Sequence, residues 1–483
     1  MAGVGIKLNR IYEKKSIAAD FLGFLYSVVI TIAPILLVLG AILLMGWMLG
    51  FGEVDYPDRT LFSCTVLYLF IFGLLAVSPF NAVLSKYMQD AIYEERFQDI
   101  LPCYYLGLVM TVVFGCLFGI PFCLWEHFAG GVDALYVFTG YCGFCAIILV
   151  FYSMIYLSIC KDYERISIFF LLGMTAAVLL SLVLRFLLLW ETSYSMLFSL
   201  TVGLFVTALL EFTAVRRYFP GNSNRYLPVL KYFGKWWKLV VTNFAYILGL
   251  YIHNFVFWTD DSRLVVARSF VCNEPYDLAT CIAMFTNLSA TIIFITRVEM
   301  HFHEKYKLYS EAVIGGKWTD IENARNRMFR QLGIELMNLV RVQFIISVVI
   351  YLLCVVFLPQ YGFAGRVMRI YPCLAAGYFI LFLMYAALLF LYYFNDLTGA
   401  VYTTLVFCIL TCVGSVFAMR LPEIWYGAGL AAGAFAGWTV AYMRLRWVER
   451  HLDLHIFCQG QLIRRKTGRK PSGKVYERAN GKL

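Results

Sequence analysis

The 483-residue chain is 61% hydrophobic and 18% aromatic but only 14% charged, far from the roughly 45–50% apolar, ~25% charged norm of a soluble domain. It reads as an integral membrane protein, and no polar stretch is long enough for a fused kinase, nucleotide-binding or glycosyltransferase domain. Its formal net charge of +10 is spread over segments that flank apolar runs, which argues against a nucleic-acid-binding module.

In chain order, a basic opening with Lys7, Arg10, Lys14 and Lys15 leads into the apolar run 21–49. That run is too long for a signal-peptide core and has no small-residue cleavage pattern behind it, so it is expected to stay as the first span. Further runs at 61–85, 102–125, 133–160, 166–190, 196–215, 239–258, 277–297, 338–358, 370–395, 400–419 and 425–445 predict an all-α polytopic fold of about twelve transmembrane helices. Six fall before the basic connector 216–238 and six after it. Pro220, Gly221, Asn222, Ser223 and Asn224 make that connector a breaker cluster, and Lys235-Trp236-Trp237-Lys238 is an interfacial anchor for the next helix. The expected organisation is two pseudo-symmetric six-helix bundles, 1–215 and 239–445, joined by a cytoplasmic linker at 216–238 and rocking about a midplane site.

Of the 40 Lys and Arg, 33 lie on the side that both termini share and six on the other. Both termini are therefore expected in the cytoplasm, with the spans in the cytoplasmic (inner) membrane and the basic tail 446–483 against anionic lipid. Before the ninth run, the segment 298–337 reads as a cytoplasmic helical hairpin. Glu299, Phe302, Tyr306, Tyr309 and Val313 recur at helical spacing until Gly315-Gly316, and Thr319 with Glu322 forms a capping-box pattern for the next helix. Phe302, Tyr306 and Tyr309 are the candidates for docking a cytoplasmic partner. In the last run, Gly429, Gly433 and Gly437 form a ridge of small residues that admits a neighbouring helix.

Residues for catalysis are scarce. Most of the fourteen cysteines lie in spans as packing residues; Cys272, in an outer loop, has Cys281 as its candidate disulfide partner. The six histidines form no ligand set, and Gly315-Gly316-Lys317-Trp318 lacks the residues of a P-loop. No catalytic residue, cofactor or metal is expected. Ionisable groups within apolar spans are the stronger pointers: Arg185, Glu211 and His253. Glu211, near the inner surface, is expected to snorkel, whereas Arg185 facing a cavity would favour a carbonyl-rich or anionic substrate group. On the seventh span, Tyr251, Asn254 and Trp258 fall within a ~60° arc and His253 lies on the other side. The first three are the expected sugar-facing stripe, with His253 a weaker candidate.

The opening Met1-Ala-Gly-Val-Gly-Ile-Lys-Leu, Ala33-Pro34, the strip Leu248 to Trp258, Pro275-Tyr276-Asp277, Arg297-Val-Glu299, Phe302, Tyr306 and Gly315-Gly316 together resemble the Pel exopolysaccharide transporter family (PelG). That family is similar to the multidrug/oligosaccharidyl-lipid/polysaccharide flippase superfamily. The match departs from the expected pattern at Ala33-Pro34 and at His253-Asn254, which are the positions that would bear on ion coupling. The resemblance implies transport of a hexosamine-rich polysaccharide made by a cytoplasmic glycosyltransferase, with a cyclic-di-GMP receptor and repeat-containing membrane subunits as partners. A proton- or sodium-coupled exporter, or a flippase for lipid-linked oligosaccharides, is the alternative within the same fold.

Overall fold

The computed structural model describes residues 17–160, 162–287, 299–362 and 365–459. The basic opening, the second half of the predicted eighth span and the basic tail beyond 459 lie outside the described residues. Six long helices make the first lobe: α1 (Ile17–Met48), α2 (Tyr56–Tyr93), α3 (Ile100–Phe128), α4 (Ala134–Ile159), α5 (Tyr163–Phe186) and α6 (Thr192–Tyr218). A short linker helix, α7 (Leu227–Lys235), leads to α8 (Trp237–Phe257), a β-hairpin of β1 (Leu264–Val266) and β2 (Phe270–Cys272), and α9 (Glu274–Asn287). The chain continues through α10 (Glu299–Gly315), α11 (Trp318–Phe357), α12 (Arg366–Tyr393), α13 (Leu397–Ala418) and α14 (Ala428–Gln459). Among the described residues nine helices are long and apolar enough to cross a membrane.

Local chemistry explains where these helices start. The side chains of Asp133, Asp162 and Asp396 accept the otherwise unpaired N–H groups of Leu135, Arg165 and Gly399 at the heads of α4, α5 and α13. Within α2, Pro79 removes the donor for the Leu75 carbonyl, and the Ser78 hydroxyl donates to that carbonyl at 2.8 Å instead. In the first lobe α6 packs on α4 and α5, α2 on α4, and α1 on α5; in the second, α14 packs on α12 and α13, α8 on α13, and α9 on α12. The glycine ridge of α14 permits this: a Cβ at Gly429 or Gly433 would collide with backbone atoms of Ser415 or Thr411 on α13.

The linker is laid onto the first lobe. The Ser223 N–H donates to the Gln98 carbonyl at 2.9 Å, the Tyr232 hydroxyl to Asp90 at 2.5 Å, and the Lys86 ammonium sits 4.4 Å over the Trp236 ring.

Two features of the helical hairpin differ from expectation. Its second helix begins at Trp318, and the reciprocal carboxylate is Asp320, which accepts the Lys317 N–H at 3.1 Å, so Thr319 and Glu322 do not form the cap. The aromatic stripe of α10 faces inward. Phe302 and Tyr309 are buried, and the Phe302 ring lies 4.8 Å from Phe390 and 5.9 Å from Phe394 at the end of α12. Half-buried Tyr306 meets Tyr393 at 6.4 Å; burial pushes its phenol up to about 12, so it stays neutral. These three rings fasten the hairpin to the second lobe and are not an open docking face, because an aromatic surface of this size is buried wherever a neighbouring apolar surface is within reach. The solvent side of the hairpin carries Leu308, Ile314 and Trp318.

Candidate functional site

The lobes meet chiefly along α2 and α8. Nearest the β-hairpin, Trp258 stacks flat on Tyr68, with centroids 5.1 Å apart and planes 7° from parallel. One turn along, Phe72 and Phe255 stack at 5.7 Å and 7°. Ile71 and Leu75 then pack in one cluster with Leu248, Tyr251 and Phe244. Towards the linker end, the Asn243 amide donates to the Ser78 carbonyl at 2.6 Å. The seam is thus mostly aromatic and apolar, with a polar contact at each end.

The polar end nearest the β-hairpin is organised by Asp277. Asn273 precedes α9 as its cap: its side-chain oxygen accepts from the Tyr276 N–H, and its own N–H donates to Asp277 Oδ2 at 3.0 Å. Fixed in this way, the Asp277 carboxylate also accepts from the Asn254 amide at 2.7 Å and from the Trp258 indole N–H at 3.0 and 3.1 Å. The carboxylate holds the indole edge while Tyr68 covers its face. The Tyr68 hydroxyl in turn donates to the Val271 carbonyl at 2.8 Å and accepts the Val271 N–H at 3.0 Å. A chain of contacts therefore runs from α9 through α8 and across the lobe boundary to α2 and back to β2.

The β-hairpin straps this region. Its register pairs Leu264 with Cys272 and Val266 with Phe270, and two of its three turn residues, Ala267 and Arg268, have positive φ, 47° and 54°. That backbone matches the twist of the strands but is unfavourable for residues with a Cβ. The turn lies over Gly130 in the α3–α4 connection, where a Cβ would strike the Ala267 carbonyl. Phe270 meets Tyr68 at 4.9 Å and Phe122 at 5.3 Å. It lines, together with the buried side chain of Glu126, a cavity of about 220 Å³ walled by α2, α3 and α4. Tyr68 belongs to both the cavity wall and the seam.

The sequence-predicted residues separate in space. Tyr251 and Trp258 lie at the lobe seam, as their shared face requires, whereas Asn254 is turned into the second lobe, where it meets Asp277 and, at 3.5 Å, Thr280. His253 is inside the second lobe, its Nδ1 2.8 Å from the Tyr276 hydroxyl and its ring against Tyr378. Arg185 is at the end of α5, where its guanidinium donates to the Trp190 carbonyl at 3.0 Å and holds the chain reversal. Glu211 does not snorkel. It is fully buried in the first lobe, and neither carboxylate oxygen has a hydrogen-bond partner among the described residues.

Sequence reasoning did not propose Tyr68, Glu126 or Asp277 as site residues, although Asp277 stands in the motif Pro275-Tyr276-Asp277. Asp277 had a usable signal, since Asn273-Glu274-Pro275-Tyr276-Asp277 is a capping sequence with Pro in the first turn. Tyr68 had none, because nothing local separates it from the other aromatics of α2.

Residues 1–457 match the family model PelG, the exopolysaccharide exporter family (EPS-E). Among solved structures, a multidrug resistance MATE family transporter of the MOP superfamily in its inward-facing conformation superposes with a TM-score of 0.59 at 12% identity, covering 88% of this chain and 99% of that one. A MOP superfamily transporter from Pyrococcus furiosus gives 0.56 at 12% identity, over 88% and 96%. An outward-facing MATE transporter structure gives 0.53 at 12% identity, over 87% and 96%. These likenesses show the fold, two lobes of membrane-spanning helices. No curated protein matches the chain.

Proposed function

Because the chain belongs to the PelG exopolysaccharide exporter family and has a multi-pass transporter fold rather than that of an enzyme, we propose that it carries a hexosamine-rich polysaccharide across the cytoplasmic membrane along the seam between its lobes. The observation that supports this reading most is the seam itself. Tyr68, Phe72, Tyr251, Phe255 and Trp258 present rings from both lobes along one line. Aromatic faces stack on sugar rings and hold them without fixing one position, which suits a polymer that slides.

In this reading both termini and the linker face the cytoplasm and the β-hairpin faces outward. The contacts around Trp258 then form the outer closure, and the open phase of the cycle begins when Trp258 separates from Tyr68. A cytoplasmic glycosyltransferase supplies the polymer at the linker face, with a cyclic-di-GMP receptor and repeat-containing membrane subunits in the same assembly. The solvent side of α10, at Leu308 and Ile314, is the contact surface consistent with the burial of Phe302 and Tyr309.

One observation favours a second reading, a proton- or sodium-coupled exporter. Two carboxyl side chains, Glu126 and Glu211, are buried in the first lobe, where an unpaired charge is costly. The two readings separate in proteoliposomes. Polymer movement driven by synthesis proceeds without an ion gradient, whereas coupled export stops when the gradient is collapsed. Uptake or export of small amphipathic cations, with no effect of the Trp258→Ala change on polymer secretion, would overturn the first reading.

A further inference from the structure

The Sγ atoms of Cys64 and Cys272 lie 3.2 Å apart and both side chains are buried, although 208 positions separate them in the chain. Cys64 is near the start of α2 in the first lobe. Cys272 ends β2, one residue before Asn273, the cap of α9 in the second lobe. Cys281, the partner that sequence spacing offered, lies within α9, and Cys272 faces away from the second lobe into a small cluster with Cys64, Val266 and Phe270.

We infer that Cys64 and Cys272 form a disulfide that ties α2 to the head of α9 and latches the β-hairpin end of the seam shut. A shift of about 1.2 Å brings the two sulfurs to bonding distance. The oxidant is a disulfide-bearing thiol oxidase of the extracytoplasmic space. The exchange precedes the packing of β2 on α2, while both thiols are still open to the oxidase: the Cys272 thiolate attacks that disulfide and releases one thiol, and the Cys64 thiolate then attacks the mixed disulfide at the Cys272 sulfur and releases the second. The two cysteines lose two protons and two electrons, and the oxidant becomes a dithiol. The inference rests on the outward placement of the β-hairpin under the proposed function, because buried thiols on the cytoplasmic side stay reduced.

With the bond in place, Trp258 cannot leave Tyr68 without moving α2 and α9 together, so the seam opens only after a dithiol reductant of the same space takes the bond apart by the reverse exchange, returning two thiols here and becoming a disulfide itself. This differs from a merely structural staple, which would leave seam opening unchanged by reductant.

The native full-length protein in cell membranes, alkylated with N-ethylmaleimide without reductant and then digested, should give a peptide pair linked through residues 64 and 272 that dithiothreitol separates. In a chain keeping only Cys64 and Cys272, with Leu75→Cys as a reporter in the seam, a membrane-impermeant maleimide should label position 75 several-fold faster after reduction or when Cys64→Ser is added. Recovery of both residues as alkylated thiols, even after copper-phenanthroline oxidation, overturns the bond; equal labelling rates at position 75 overturn the latch. Arg268→Cys, on the hairpin turn and in a chain without other cysteines, tests the placement. If it is labelled only after the cells are permeabilised, the outward orientation fails and the disulfide fails with it; if it is labelled in intact cells while both thiols stay free, the disulfide alone is wrong.

Discussion

Trp258 and Tyr68 stack with their planes 7° apart, and each ring also makes a polar contact with the second lobe's part of the chain: the indole N–H with Asp277 on α9 and the phenol with both backbone groups of Val271 on β2. Asp277 sets the indole orientation within the second lobe, so little of its rotamer freedom remains to be lost when the stack forms, whereas Tyr68 is held from across the boundary by both its ring and its hydroxyl. Removing either ring should act on the closure of the seam more than on the folding of either lobe.

Trp258→Ala removes the stack and leaves a void at the lobe boundary, a loss of about 3–5 kcal/mol for a buried aromatic. Polymer export should fall while membrane abundance is kept, and an impermeant thiol reagent should reach a cysteine at position 75. The milder Tyr68→Phe keeps the stack and loses the pair of contacts to Val271, costing about 1 kcal/mol or roughly a fivefold rise in local opening. Hydrogen exchange over residues 264–272 reads this directly.

Asp277→Asn should lower the melting temperature in detergent more than its size suggests. The carboxylate accepts from Asn254, Trp258 and the Asn273 N–H, whereas an amide offers one acceptor and turns two donors towards donors already in place. A buried donor left without a partner costs about 1–3 kcal/mol. Melting at the wild-type temperature would show that the cluster is dispensable.

Glu211→Leu should raise thermal stability by about 1–3 kcal/mol, because the buried carboxyl has no hydrogen-bond partner among the described residues and the apolar replacement removes that penalty. Glu211→Lys should lower it. A stabilised Leu variant that no longer transports would mark the carboxyl as a group kept for function at the expense of stability; a destabilised one would mean that the carboxyl is partnered.

Phe302→Ala should release the helical hairpin from the end of α12, costing about 3–5 kcal/mol, and protease sensitivity around Gly315-Gly316 should rise. Leu308→Ser with Ile314→Ser, on the solvent side, should leave melting unchanged and weaken co-purification with the cognate glycosyltransferase. Unchanged co-purification would remove that face from the proposed assembly.

The membrane-spanning helical class and the two lobes were legible in the sequence because each span is determined by its own residues: hydrocarbon admits only apolar segments with satisfied backbones. The glycine ridge of α14 was legible for a related reason, since residues four apart share a face of one helix and no distant information is needed to see it. The same local logic placed Tyr251 and Trp258 together at the seam.

What the sequence could not show depends on which helix lies opposite. Helical spacing put Asn254 on the same side as Tyr251 and Trp258, yet Asp277, 23 positions later, draws its amide into the second lobe. Spacing also found the stripe Phe302, Tyr306 and Tyr309, but a periodic aromatic face looks the same whether it meets a partner or the end of α12. Glu211 appeared close enough to the surface to snorkel, and packing in the first lobe buried it with no hydrogen-bond partner among the described residues. The approach of Cys64 to Cys272 is the plainest case. Their separation along the chain carries no information about it, because a long loop adds only a slowly growing entropic cost to a contact that packing makes favourable. The sequence by itself determined the membrane-spanning helical class and the family; only the tertiary structure decided which side chains face one another across the lobes, because that depends on surfaces that meet only once both lobes have folded.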